Sequence, residues 1–205
     1  MKKLLFAITI STIFSTFAMA DSLGLYVGGD YHYNDSTYGD KNTKDNGNIS
    51  GYLAFEHFIP LIPNAKLRYI DLKNKDDQES SALNAILYYN IFDNGLFKID
   101  LGLDYTRVED YLQTSAALAQ AYAGAKIYVP ATGIFAFSEI IGGSVTKDEA
   151  LDGNAGLGYT FNPDSLLINF SLRAGYRYQT ITIDKDKNKK DQENKGPFAG
   201  LEVHF

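Results

Sequence analysis

The chain has 205 residues, 19 basic against 25 acidic, with 18 glycines, 15 tyrosines and 13 phenylalanines but neither cysteine nor tryptophan. That length suits one domain, with two as the upper bound, and the lack of cysteine excludes a disulfide framework. An acidic chain without a basic stripe is a poor candidate for nucleic-acid binding.

The first element is a leader. Lys2 and Lys3 supply a positive start, LLFAITISTIFSTF an apolar centre, and Ala18-Met19-Ala20 a small-x-small site before Asp21. This pattern predicts a secretory signal peptide over 1–20, cleaved at Ala18 and Ala20. A retained anchor needs about 20 apolar residues; this run is shorter and is broken by Ser11, Ser15 and Thr16. Cleavage leaves 17 basic residues against 25 acidic ones, a net charge of −8, in a single domain spanning 21–205.

From there the dominant period is two, the period of a strand with two different faces. FKIDLGLDYT places Phe97, Ile99, Leu101, Leu103 and Tyr105 on one face and Lys98, Asp100, Gly102, Asp104 and Thr106 on the other. INFSLRAGYRY separates Ile168, Phe170, Leu172, Ala174, Tyr176 and Tyr178 from Asn169, Ser171, Arg173, Gly175 and Arg177. The same alternation predicts ten strands, at 22–33, 48–58, 65–73, 81–91, 97–107, 114–129, 134–145, 152–161, 166–179 and 196–205. Eight is the alternative count, if 134–145 and 152–161 belong to loops. Short turns rich in Gly, Pro and Asn fall at 59–64, 92–95, 130–133 and 162–165. Polar connections at 34–47, 74–80, 108–113, 146–151 and 180–195 alternate with them, and TITIDKDKNKKDQENK is expected to be a solvated loop.

A short turn after every second strand and a polar connection after the others describes an all-β, antiparallel, up-and-down transmembrane β-barrel. The large apolar residues are expected to face lipid. Asp30, Glu56, Lys66, Arg68, Lys98, Asp100, Asp104, Lys126, Arg173, Arg177 and Glu202 are expected to face the lumen and pair there. Tyr33, Tyr89, Tyr105, Tyr178 and Phe205 fall where aromatic girdles belong. A soluble sandwich also alternates, but its wet face carries large polar side chains. Here the polar face holds Gly24, Gly28, Gly102, Gly124, Gly156, Gly158, Gly175 and Gly200, which suit a crowded lumen. The exception is IFAFSEIIGG, where Phe135 and Phe137 share a face with Glu139, so either a bulge shifts the register or the rings enter the lumen.

Five stretches then carry a resemblance: LGLYVGG (23–29), EHFIPLIPNAKLRYIDL (56–72), LYYNIFDN (87–94) with IDLGLDY (99–105), GYRYQTITID (175–184) and KGPFAGLEVHF (195–205). In this order they resemble a family of small bacterial outer-membrane β-barrel proteins with a Glu-His-Pro-x-Pro-Leu-x-Pro-Asn turn and a Gly-Pro-Tyr-Ala-Gly-Leu…Phe C-terminal strand. The chain departs by Phe58 and Phe198, in place of the proline and the tyrosine. The resemblance implies the outer membrane of a Gram-negative bacterium and brings no activity with it. It also implies contact with outer-membrane lipid and lipopolysaccharide, and a terminal strand read by the barrel-assembly machinery. Gly200, Leu201, Val203 and Phe205 would carry that signal.

Catalytic and ligand motifs are sparse. The sequence contains no phosphate-cradling glycine loop, zinc spacing or nucleophile elbow, and no cofactor is implied. Gly28-Gly29 and Gly142-Gly143 are expected within strands, where they allow close packing or a bulge and do not bind a ligand. Asp30, His32 and Ser50 could meet across two strands as orienter, base and nucleophile. Mutual hydrogen bonding of ordinary lumen residues is the simpler reading. His57 and His204 fall at the rim beside Glu56 and Glu202, where a metal cluster competes with ordinary hydrogen bonding. The expected protein is a non-catalytic monomer with a structural, binding or surface-exposed role; a narrow-solute channel and, behind it, a lumen-mouth hydrolase are the rivals.

Overall fold

The computed structural model describes residues 23–38, 41–73, 79–111, 114–143, 148–163, 165, 168–185 and 188–205. The predicted signal peptide, with Ala18 and Ala20, lies outside them.

Ten antiparallel strands close on themselves in the order β1-β10-β9-β8-β7-β6-β5-β4-β3-β2. They are β1 (Leu23–Tyr38), β2 (Lys41–His57), β3 (Asn64–Lys73), β4 (Glu79–Asp93), β5 (Phe97–Tyr111), β6 (Thr114–Tyr128), β7 (Ile134–Gly142), β8 (Glu149–Thr160), β9 (Asn169–Lys185) and β10 (Asn188–His204). The eight-strand alternative falls, since both disputed segments form full strands. β10 closes the sheet against β1, with Val27 opposite Val203 and Tyr31 opposite Ala199. The final residue continues the seam: the Leu25 and Phe205 backbones exchange both hydrogen bonds, at 3.2 and 2.9 Å. No edge of the sheet remains open.

Two polar connections are corrected. The segment 180–195 is not a solvated loop, because β9 and β10 stay paired as far as Lys185 opposite Asn188. Likewise 34–47 belongs mostly to β1 and β2, which pair up to Tyr38 opposite Lys41. The reason is register: once two long strands are paired, the backbone ladder continues through polar residues, because hydrogen bonding does not depend on side-chain polarity. These two hairpins are neighbours, so β2, β1, β10 and β9 form one continuous extension at the end far from the termini.

The faces are inverted relative to a water-soluble barrel. Outward residues are apolar and exposed: Leu101, Leu103 and Tyr105 on β5, Leu157 and Tyr159 on β8, Leu201 on β10. Along β5 this run lasts from Phe97 to Tyr105, about 27 Å of strand, or about 20 Å along the axis at the usual tilt of ~40°. Tyr31, Tyr33, Tyr69, Tyr105 and Tyr176 crown it on the far side. Beyond these rings the outward positions turn charged, as at the exposed Arg107–Glu109 and Lys195–Glu193 pairs. Lys195 donates to Glu193 at 2.6 Å and holds that carboxyl below its usual range.

Phe135 and Phe137 do enter the lumen, in unbroken register with β6 and β8, where they pack with Phe198. The lumenal glycines make room for such rings. A Cβ at Gly28 would lie 2.3 Å from the Tyr52 ring, and one at Gly158 would lie 2.2 Å from Phe135. Gly28 thus serves close packing as expected, whereas Gly143, at φ +84°, has left the strand for the turn.

Candidate functional site

Among the described residues the lumen is the enclosed polar volume of the fold, and every charged residue assigned to it from the sequence is on its inner side or rim. Nearest the termini, Lys98 donates to both Glu56 oxygens at 2.7 and 2.5 Å, and Tyr88 adds a hydroxyl at 2.9 Å. Lys126 reaches Glu202 at 3.3 Å, and Tyr52 also donates to Glu202. Lys66 bridges to Glu139 from across the barrel. Deeper in, Arg173 clamps Asp30 with contacts of 2.8 and 2.6 Å. Its guanidinium lies 5.0 Å from the Tyr52 and Phe137 ring centres, within cation–π range. Farther still, Asp152 receives Arg68 at 2.5 Å and Arg177 at 2.8 and 2.5 Å. Asp100 and Asp104 are held instead by the amides of Asn90 and Asn84, at 2.8 and 3.2 Å.

Towards the far end the filling changes character. Ile70, Leu72, Ala82, Val108, Leu118 and Ile181 form a buried apolar layer across the lumen. Beside it Asn194 joins Ser36, Gln192 and Gln179 at 2.7, 2.8 and 3.2 Å. The sequence alternation sends large apolar residues outward and so does not reveal this layer. The missed signal was parity: Ile70 and Leu72 share a face with Lys66 and Arg68. Glu139 and Asp152, the acceptors for three lumenal cations, are additions to the expected lumen set: the face of Glu139 begins with two phenylalanines, and Asp152 opens a weakly alternating strand.

At the end bearing the termini the lumen opens into a vestibule of about 710 Å³, with Tyr26, Lys98, Lys126, Phe135, Glu202 and His204 in its walls. The next two spaces along the axis are about 40 and 10 Å³. A water needs about 10–15 Å³ of such space, so these two spaces hold a few waters at most.

The Asp30, His32 and Ser50 grouping forms only in part. His32 Nε2 lies 2.8 Å from Ser50 Oγ, but Asp30 is committed to Arg173, and His32 Nδ1 has no hydrogen-bond partner. Arg177 approaches the same Nε2 at 3.4 Å. The adjoining space of about 10 Å³ accommodates no substrate. The rim histidines are structural. His57 Nε2 donates to the Pro63 carbonyl at 3.3 Å, and its Nδ1 accepts from the Ile59 N–H at 3.1 Å. The His204 ring stacks on Tyr26, 4.1 Å between centres. Among the described residues no group of three or more His, Asp or Glu is placed to hold a metal ion.

No protein-family model matches the sequence, and no curated protein matches it either. Among solved structures, Neisserial surface protein A (NspA) is similar at 19% identity, covering 88% of this chain and 97% of its own, with a TM-score of 0.46. The Acinetobacter baumannii outer membrane protein Omp33 is similar at 11% identity over 90% and 98%, with a TM-score of 0.28.

Proposed function

We propose that this chain is an integral outer-membrane barrel with a structural, surface-presenting and non-catalytic role. One observation carries the reading: a closed sheet that is apolar outside and filled with paired charges inside. In water that arrangement would expose its apolar face and bury its ions for nothing; in a bilayer every backbone group is paired and the apolar belt meets lipid. An even strand number puts both termini on one side, the periplasmic one. The β1–β2 and β9–β10 hairpins then stand on the outer surface, and the charged ring at Arg107 and Lys195 faces the lipopolysaccharide. The filled lumen favours this reading over a narrow-solute channel.

Purified protein reconstituted in a planar bilayer is expected to be electrically silent; stepwise conductance would overturn the non-conducting role. Barrel and membrane are tested separately, by slow electrophoretic migration after boiling and by the need for detergent.

The assembly role of the last strand belongs to the same proposal, as does membership of the small outer-membrane family with its turn and closing strand. Leu201 and Phe205 are exposed on the outer wall, while Gly200 faces Asp30 across the seam. Replacing Phe205 with Ser is expected to lower the amount of heat-modifiable barrel in outer-membrane fractions several-fold. Unchanged amounts would refute the signal.

A further inference from the structure

The turn between β2 and β3 has no role in the lumen, yet it is the least turn-like in composition. Phe58, Ile59, Leu61 and Ile62 are 61, 43, 89 and 51% exposed, and Leu61 is the most exposed large apolar residue described. Surface turns are normally polar, and a contiguous exposed apolar patch marks an interaction surface.

Its shape is fixed. The His57 backbone N–H donates to Asn64 Oδ1 at 3.0 Å, and the imidazole spans the turn from Pro63 to Ile59. Ile62 N–H closes back on the Ile59 carbonyl at 3.3 Å, and Pro60 and Pro63 restrict the chain further. The apolar side chains are therefore presented by a rigid knuckle.

Its direction is equally defined. Tyr89 projects from the outer wall of β4, and its hydroxyl donates to the Leu61 carbonyl at 3.2 Å. None of the residues 58–63 lines the vestibule. The turn leans outward over the barrel wall, away from the mouth, and continues the apolar surface of Phe55, Ile91 and Phe92.

We propose that Phe58–Ile62 is an interfacial anchor whose partner is the phospholipid leaflet on the periplasmic side. The knuckle would sit at the boundary of headgroups and acyl chains, where apolar and aromatic groups with nearby polar backbone are favoured. Phe58, 61% exposed, adds a ring at that depth. This inference rests on the membrane-barrel reading, and the test separates the two.

The chain has no tryptophan, so Leu61→Trp introduces a sole indole. The variant is reconstituted into phosphatidylcholine vesicles containing lipids brominated at successive acyl positions. Blue-shifted emission is expected, quenched most by bromines closest to the headgroup. Leu103→Trp, on the outer wall at 72% exposure, is the companion and should be quenched most by bromines deeper along the acyl chains than those that best quench Leu61→Trp. If Leu103→Trp is quenched and Leu61→Trp emits as in water at every depth, the anchor is wrong and the barrel stands. If Leu103→Trp also escapes quenching, the membrane reading itself fails. Water-type emission that turns blue only on adding periplasmic extract would assign the surface to a protein and overturn the lipid assignment. Heat-modifiable migration confirms that each variant is folded, and Ile62→Trp supplies a second position.

Discussion

Asp152→Ala is expected to destabilise the barrel by about 3–5 kcal/mol, the range for leaving a buried charge without its partner. Asp152 accepts from Arg68 at 2.5 Å and from Arg177 at 2.8 and 2.5 Å, and all three side chains are at least nine-tenths buried. Truncation removes one negative charge and leaves two guanidinium groups facing each other. Arg68 would keep Asn84 at 3.3 Å, and Arg177 would keep the His32 contact at 3.4 Å; neither neutralises a cation. Glu193→Ala is the control, because its partner Lys195 is exposed and such surface pairs are worth about 0–1 kcal/mol. Urea midpoints of vesicle-reconstituted barrels, read from heat-modifiable migration, should fall far for Asp152→Ala and little for Glu193→Ala. Equal shifts would show that the lumenal pairs are no more coupled than surface ones.

That ion cluster also shows where sequence reading stops. Parity along a strand is local, so the inward positions of Arg68 and Arg177 were legible from residues two apart. Partnership is not local. Asp152 lies on β8, whereas Arg68 comes from β3 on the opposite wall, and their contact depends on barrel closure and side-chain length. The same limit explains the catalytic candidates. The β1–β2 register sets Ser50 opposite Asp30 and diagonal to His32, which is opposite Asn48, so a meeting of the three across one hairpin could be anticipated from the sequence. What it could not show is that Arg173, far away in the chain, claims Asp30 and leaves the trio without an orienter.

Apolar residues misled for a related reason. Hydrophobicity was equated with the lipid face, but a filled lumen has an inside that must also be packed. Ile70, Leu72, Val108, Leu118 and Ile181 occupy inward parity and close the lumen beneath the far rim. They sit at the strand ends where an ionic filling would be most open to water. An apolar layer there shields the Arg68–Asp152–Arg177 cluster, which strengthens its Coulomb attraction by lowering the local dielectric.

Leu103→Arg tests the opposite wall. The side chain is 72% exposed between Leu101 and Tyr105, directly across from Leu87 on β4 and Ala121 on β6. On a water-soluble barrel an arginine there would be within about ±0.5 kcal/mol of neutral, as for most surface substitutions. Inside a lipid-facing belt, about 5 Å along the axis from its Tyr105 edge, it should cost about 1–3 kcal/mol, between the roughly 2–4 of the midplane and the roughly 0–1 of the interfaces. Leu23→Arg, at the strand end beside the seam, is the matched control, being 59% exposed. A large drop in urea midpoint for Leu103→Arg with little change for Leu23→Arg would trace the depth profile of a bilayer. Equal, small effects would remove the membrane from the argument and leave the inverted faces unexplained. Arginine is not intrinsically unwelcome in this fold, since Arg173 and Arg177 are buried in it. The two walls differ in what they offer a cation: carboxylates within 3 Å inside and, on the proposed membrane reading, hydrocarbon outside.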